Sequence, residues 1–344
     1  MAKKSGTYRF SFGPWNISTG GDPFGPPVRK EVAFAKKIRE YKQLGFDYVQ
    51  LHDDDVVPAD WDATQTARGV AKVKQLLDGE GLQGEFIAPR LWEDARTIDG
   101  GYTANNAAAR RYARDRSRRA IDIANMLGID LIVLWPAREG TYIREAKDPR
   151  VSMERLVEAI DDMLAHDPKV RIVGEMKPNE PMDQAYCPSV GHFMGLCYRT
   201  AAPHRVGVLI ESAHSILAGL DPSDDMAYAL WHGKLWGVHL NDQNGLKYDQ
   251  DKTFGSVDLR RAFNQVWVLD RAGYYDTGVV GLDIKAMRTT KQADETKHLA
   301  NSLKMFHHLL GAVHSVDSQK IEAFRQARDY EGLELYILEH LMGG

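Results

Sequence analysis

The sequence predicts an α/β fold, an eight-stranded β/α barrel. Three observations support it: eight short apolar runs, helical segments between them, and no hairpin signal such as Asn-Gly joining one run to the next. The runs occupy 7–12, 46–51, 82–88, 130–135, 170–175, 206–211, 235–240 and 278–283. Several are apolar throughout, as in Leu131-Ile132-Val133-Leu134-Trp135 and Val206-Gly207-Val208-Leu209-Ile210. Strands covered on both faces read this way, because a parallel sheet loses the alternation of a half-exposed one. A doubly wound open sheet is the weaker alternative.

The intervening segments have a period near 3.6. The clearest places Met153, Leu156, Val157, Ile160, Met163 and Leu164 on one face. It opens with Asp148-Pro149, a capping residue followed by proline at the first helical position, and Asp221-Pro222 repeats the device before a helix near 223–233. Residues 1–315 thus read as a (β/α)8 TIM barrel and 316–344 as a short C-terminal helical extension. The tail reads as two helices, roughly 317–328 and 330–342. Its stripe of Leu333, Leu335, Tyr336, Leu338 and Leu341 suits either its own barrel or another subunit.

The bulk properties narrow the function by exclusion. A net charge of −4 gives no reason to expect nucleic acid or an anionic membrane as partner. The two cysteines, Cys187 and Cys197, imply neither a disulfide framework nor a thiolate zinc cluster. The basic start, Met1-Ala2-Lys3-Lys4, has no apolar run behind it, and no stretch reaches the roughly 18 apolar residues of a membrane span. A cytoplasmic location is the expectation. Six arginines between Arg110 and Arg119 sit on a predicted barrel helix and read as a solvated or subunit-facing surface.

In β/α barrels the reacting groups lie at the C-terminal ends of the strands. The fifth run ends at Glu175, the sixth at Glu211, the seventh at His239 and the eighth at Asp283. The second ends at His52, followed by Asp53, Asp54 and Asp55. Carboxylates gathered on one rim need countercharge, and oxygen-rich ligands favour magnesium or manganese over zinc. Glu211 and His214 are three residues apart, close enough to chelate from one turn, and Asp249 and Asp251 flank Gln250 in the loop after the seventh run.

These residues fall within a set of motifs that resembles the xylose isomerase family. The set begins with Phe12-Gly13-Pro14-Trp15, Asp22-Pro23-Phe24-Gly25 and His52-Asp53-Asp54-Asp55. It continues with Asp99-Gly100-Gly101-Tyr102-Thr103, then Trp135 with Arg138-Glu139-Gly140, then Glu175-Met176-Lys177-Pro178-Asn179-Glu180-Pro181. Lys247-Tyr248-Asp249-Gln250-Asp251 and Asp283-Ile284-Lys285 with Arg288-Thr289 complete it, in order over about residues 8–315.

The resemblance implies an aldose–ketose isomerase, with D-xylose or another aldose as substrate and two divalent metal ions (Mg, Mn or Co) as cofactors. Glu175, Glu211, the residue at 239 and Asp283 would hold one metal. Glu211 would bridge to a second held by His214, Asp249 and Asp251, which would polarise the sugar oxygens during a hydride shift. His52, oriented by Asp55, would assist ring opening, and Lys177 would bond the carbonyl oxygen. Trp15, Trp92 and Trp135 would wall the site, with Lys285 beside the substrate and Phe24 contributed by a neighbouring subunit of a homo-oligomer, a dimer or tetramer.

The chain departs from that pattern at His239, where the family has aspartate. A nitrogen ligand in place of a carboxylate favours manganese, cobalt or another transition ion over magnesium, or leaves the site weak. Asp242 is a possible substitute. Pro89-Arg90-Leu91-Trp92 replaces Thr-Asn-Leu-Phe, Pro136-Ala137 a glycine pair, Met176 a proline and Ala286-Met287 a proline pair. Lost hydroxyls in a sugar pocket change selectivity strongly. His239 also points to a sugar 3-epimerase, a related barrel with one metal held by Glu, Asp, His and Glu. A third reading is a catalytically impaired sugar- or metal-binding homologue, which would have no use for His52, Asp55, Lys177 and Lys285.

Overall fold

Eight parallel strands close into a barrel in the computed structural model, which describes residues 6–20, 25–246 and 248–343. They are β1 (Phe10–Phe12), β2 (Tyr48–His52), β3 (Gln83–Ala88), β4 (Leu131–Leu134), β5 (Arg171–Glu175), β6 (Val206–Glu211), β7 (Leu235–Leu240) and β8 (Val280–Leu282). Each pairs in parallel with the next, and β8 pairs with β1. All eight apolar runs are therefore barrel strands, and the open-sheet alternative is excluded. A separate antiparallel pair joins Gly140–Thr141 to Gln184–Ala185 above the rim.

A helix follows each strand: α1 (Phe34–Leu44), α2 (Ala63–Glu80), α3 (Ala107–Leu127), α4 (Pro149–His166), α5 (Val190–Cys197), α6 (Pro222–Trp231), α7 (Leu259–Arg271) and α8 (Lys297–Ser315). Asp148 caps α4 by accepting from the Arg150 and Val151 amides, and Asp221 caps α6 through the Ser223 amide. Such caps satisfy amides that have no partner inside the helix. The α4 stripe buries Leu156, Ile160, Met163 and Leu164, each contributing about 1.5–3 kcal/mol by leaving water. A second, smaller layer fills the barrel itself: Phe86, Ala88, Leu131, Val133, Val173 and Leu209. That plug holds the upper rim at fixed spacing.

Of the five strand ends read as carrying site residues, two differ from that reading by one residue. Leu240 still pairs with Leu282, so β7 runs one residue past His239, and β8 stops at Leu282 with Asp283 just beyond it. Both groups nevertheless stand on the C-terminal rim.

The arginine-rich helix differs more. On α3, Arg116 is buried, not solvated, and forks onto Asp53 at 2.8 and 2.9 Å and onto Asp54 at 3.1 Å. A forked guanidinium–carboxylate pair out of water fixes the loop after β2 in one geometry. The tail forms α9 (Ser318–Ala327) and α10 (Tyr330–Leu341). Tyr336 and Ile337 pack into the barrel's outer core, whereas Leu335 and Leu338 are exposed. Among the described residues no helix is long and apolar enough to cross a membrane.

Candidate active site

The rim of β5 to β8 carries Glu175, Glu211, His239 and Asp283, and one ligand atom from each lies within 4.8 Å of the others. Register explains part of this convergence, because Glu211 is the direct ladder neighbour of His239. His239 Nδ1 stands 3.7 Å from Glu175, 3.8 Å from Glu211 and 3.8 Å from Asp283. These separations are too long for hydrogen bonds. They suit ligands that each sit about 2.1 Å from a shared ion, which leaves neighbours roughly 3–4 Å apart. Both ring nitrogens of His239 are buried without a hydrogen-bond partner. An orphaned imidazole facing three carboxylates is the donor set a divalent cation would complete.

The electrostatics agree with that fit. Burial pushes the Glu211 and Asp283 carboxyls up, and neighbouring carboxylates add to the push. Burial alone would push the His239 imidazole down. The negative charges of Glu175 and Asp283 overcome it and carry the group well above its ordinary value.

A second grouping joins Glu211, His214 and Asp249. His214 stands on the short helix Ser212–Leu217, with Nε2 3.3 Å from both Glu211 and Asp249. Here cations are already present. Lys177 Nζ donates to Asp249 and to Glu180, at 2.9 Å each, and Lys285 Nζ is paired with Asp251. Asp251 is not among the ligand groups that gather within 4.8 Å at His214. Its backbone adopts φ 43°, a left-handed conformation that an L side chain seldom takes. Asp242 is no substitute ligand, because its carboxylate accepts from the Gln243, Val257 and Asp258 amides.

Aromatic rings form a wall beside these groups. Trp15 donates its indole N–H to Asp283 at 2.8 Å and packs on His52, which meets Trp92, which meets Trp135 edge-to-face. Trp135 lies parallel to His214 and beneath Lys177 Nζ. Trp92, Trp135, Tyr102 and Glu139 line a small cleft. Glu139 pins one side of it by accepting from the Gly101, Tyr102 and Thr103 amides. Phe24 lies outside the described residues, as do Asp22, Pro23 and Lys247 of the motifs.

His52 has an additional partner. Its Nδ1 is 2.9 Å from Asp55, and Arg90 Nη2 approaches the same nitrogen at 2.5 Å while donating to Asp55 at 2.9 Å. Arg90 also contacts Asp54 at 3.0 Å. Its guanidinium thus supplies countercharge for Asp54 and Asp55, the two carboxylates beside His52. In the sequence Arg90 stands out only as part of the replaced segment 89–92.

Three further residues went unassigned in sequence. Asn241 Nδ2 donates to Glu211 at 2.9 Å and to Asp251 at 3.2 Å, so it links the residue shared by both groupings to the 249–251 loop. Gln50 donates to Ser11 and Glu85 beneath His239, and its own carbonyl oxygen is buried without a partner. Gly281 makes room for both. A Cβ there would lie 2.3 Å from Gln50 Nε2 and 2.8 Å from His239 Cδ2. The alternation of β2 could have placed Gln50 inside the barrel; nothing local marks Asn241.

A model of the xylose isomerase-like TIM barrel family matches residues 38–309. The chain belongs to that family. The similar structures compared below are named as epimerases and not as xylose isomerase. Similar structures include a D-tagatose 3-epimerase-like protein, with 15% identity, 88% of this chain and 98% of that one, and a TM-score of 0.64. D-psicose 3-epimerase in the presence of D-fructose has 13% identity, 88% and 99% coverage, and a TM-score of 0.64. The 3-keto-D-glucoside 4-epimerase from E. coli has 13% identity, 88% and 99% coverage, and a TM-score of 0.62. At such identities the likeness is one of fold.

Proposed function

We propose that this family member is a divalent-metal-dependent sugar epimerase that inverts the carbon next to a ketose carbonyl. One observation carries the reading. Glu175, Glu211, His239 and Asp283 converge as a complete donor set for one cation, whereas Asp249 and Asp251 are already neutralised by Lys177 and Lys285. The names of the similar structures, two 3-epimerases and a 4-epimerase, point the same way.

A divalent ion held by the four ligands would polarise the carbonyl and acidify the neighbouring C–H. The chain supplies the rest. Glu175 and Asp283 stand at strands separated by two others, and inversion needs two proton carriers, one to remove the proton and one to return it. Lys177 keeps its positive charge, because Asp249 and Glu180 outweigh the burial that would push it down, and can donate to a sugar oxygen. Trp15, Trp92 and Trp135 exclude water that would compete for the proton. Asp55 holds the His52 ring by its Nδ1, which leaves Nε2 to meet a sugar hydroxyl.

The grouping of Glu211, His214 and Asp249 favours a second reading, a two-metal aldose–ketose isomerase working by hydride shift. Incubation of ketoses and aldoses in D2O, with protein refilled by magnesium, manganese or cobalt, separates the two. Epimerisation by proton transfer places deuterium on the inverted carbon; a hydride shift interconverts aldose and ketose without that label. Metal binding with no turnover of any sugar would overturn both.

A further inference from the structure

The arginines of α3 that do not serve Asp53 gather at a second cavity. It is open to solvent and lies between α3 and α4, lined by Tyr102, Arg110, Arg114, Arg155, Glu158 and Ala159. Three guanidinium groups therefore face one carboxylate, and that carboxylate is taken by Arg114 at 2.6 Å. Arg110 Nη1 donates to the carbonyls of Ala104 and Asn105, and Arg155 Nη1 to those of Thr103 and Ala104. Among the described residues these are the hydrogen bonds the two side chains make, so the remaining N–H groups of both forks stay available. Carbonyls are neutral acceptors and leave the positive charge uncompensated. Burial and then the nearby charge of Arg155 push the Arg110 guanidinium down, with Arg114 and Arg111 adding to the repulsion.

We propose that this cavity binds a small tetrahedral oxyanion of the phosphate class, either inorganic phosphate or the phosphate of a small metabolite. The planar fork of arginine matches phosphate oxygens two at a time, and charge-assisted bonds of this kind are the strong ones. The position gives such binding a consequence. Tyr102 lines both this cavity and the one beside Trp92 and Trp135. The segment that Arg110 and Arg155 hold by its carbonyls is the one Glu139 pins by its amides. An anion drawn between the arginines acts on that shared wall from the outside.

Calorimetric titration of the chelator-treated full chain with inorganic phosphate and with a sugar monophosphate, at matched low ionic strength, tests the site. Saturable one-to-one binding is expected. Arg110→Gln and Arg155→Gln should each weaken it about tenfold or more, since a hydrogen bond to a charged group contributes about 1.5–3 kcal/mol. Glu158→Gln should tighten it severalfold, an outcome that damage to the fold cannot imitate. Arg150→Gln, on an exposed side chain of α4, should leave it unchanged. Whichever probe binds more tightly identifies the source of the phosphate. Absence of saturable heat with both probes, or one affinity across all four variants, would overturn the proposal.

Discussion

Two acidic groupings share Glu211, and they differ in what balances their charge. Around His239 three carboxylates face an imidazole, and among the described residues no lysine or arginine is ion-paired with them. Around His214 each aspartate of the 249–251 loop has its own lysine. A carboxylate cluster without resident cations must share protons or take an ion; one with lysines has a third course, to be neutral without a metal. The difference teaches that a ligand motif read in sequence counts donors but not their competitors.

The largest effect expected is from Glu211→Gln, which strikes both groupings at once. Metal affinity should fall at least about a hundredfold, since the site loses a charged ligand and not merely a supporting contact. Calorimetry reads this directly, and a variant that kept its affinity would separate Glu211 from metal binding. Gly281→Ala acts only on the first grouping. The added methyl would push against His239 and Gln50, with a cost of about 1–3 kcal/mol in denaturant unfolding and a loss of roughly tenfold in metal affinity.

His239→Asp sharpens the comparison without deleting a ligand. It should shift preference from manganese or cobalt toward magnesium, by about tenfold in the ratio of affinities. An unchanged ratio would remove His239 from the ligand set. Asp249→Asn probes the second grouping alone. With one metal per chain, stoichiometry stays at one and affinity changes by less than about threefold; a fall from two ions to one would restore the two-metal reading.

The smallest effect concerns a histidine outside both groupings. His298 is buried with its Nε2 on the Asn16 carbonyl and no carboxylate beside it, and burial pushes it down to about 4. A folded value below the unfolded 6.5 means the unfolded chain takes up the proton first. This contribution to stability is therefore complete above pH 6.5 and is lost as the pH falls toward 4, by roughly 1–3 kcal/mol. His298→Gln should flatten that part of the stability profile in urea titrations at several pH values.

Much of the scaffold was legible because parallel strands under helices must be apolar on both faces, and the runs ending at Glu175 and Glu211 stop where the strands stop. The arginines of α3 show the opposite case. By composition they look alike, yet Arg116 is buried on Asp53, 63 residues away, while Arg110 and Arg114 line an outer cavity. Arg90 had no role assigned within the replaced segment 89–92, and it contacts His52 and Asp55.

The sequence by itself determined the number of strands, the capped helices between them and the donor types carried to one rim. Each of these follows from short-range periodicity, which a linear reading can count. Tertiary structure alone decided which charges meet: His239 with three carboxylates, Asp249 with Lys177, Asp251 with Lys285, Arg90 with Asp54 and Asp55. Closure of the barrel brings residues from distant repeats to within a few ångströms, and electrostatic interactions depend on that distance and on burial, neither of which is written in residue order.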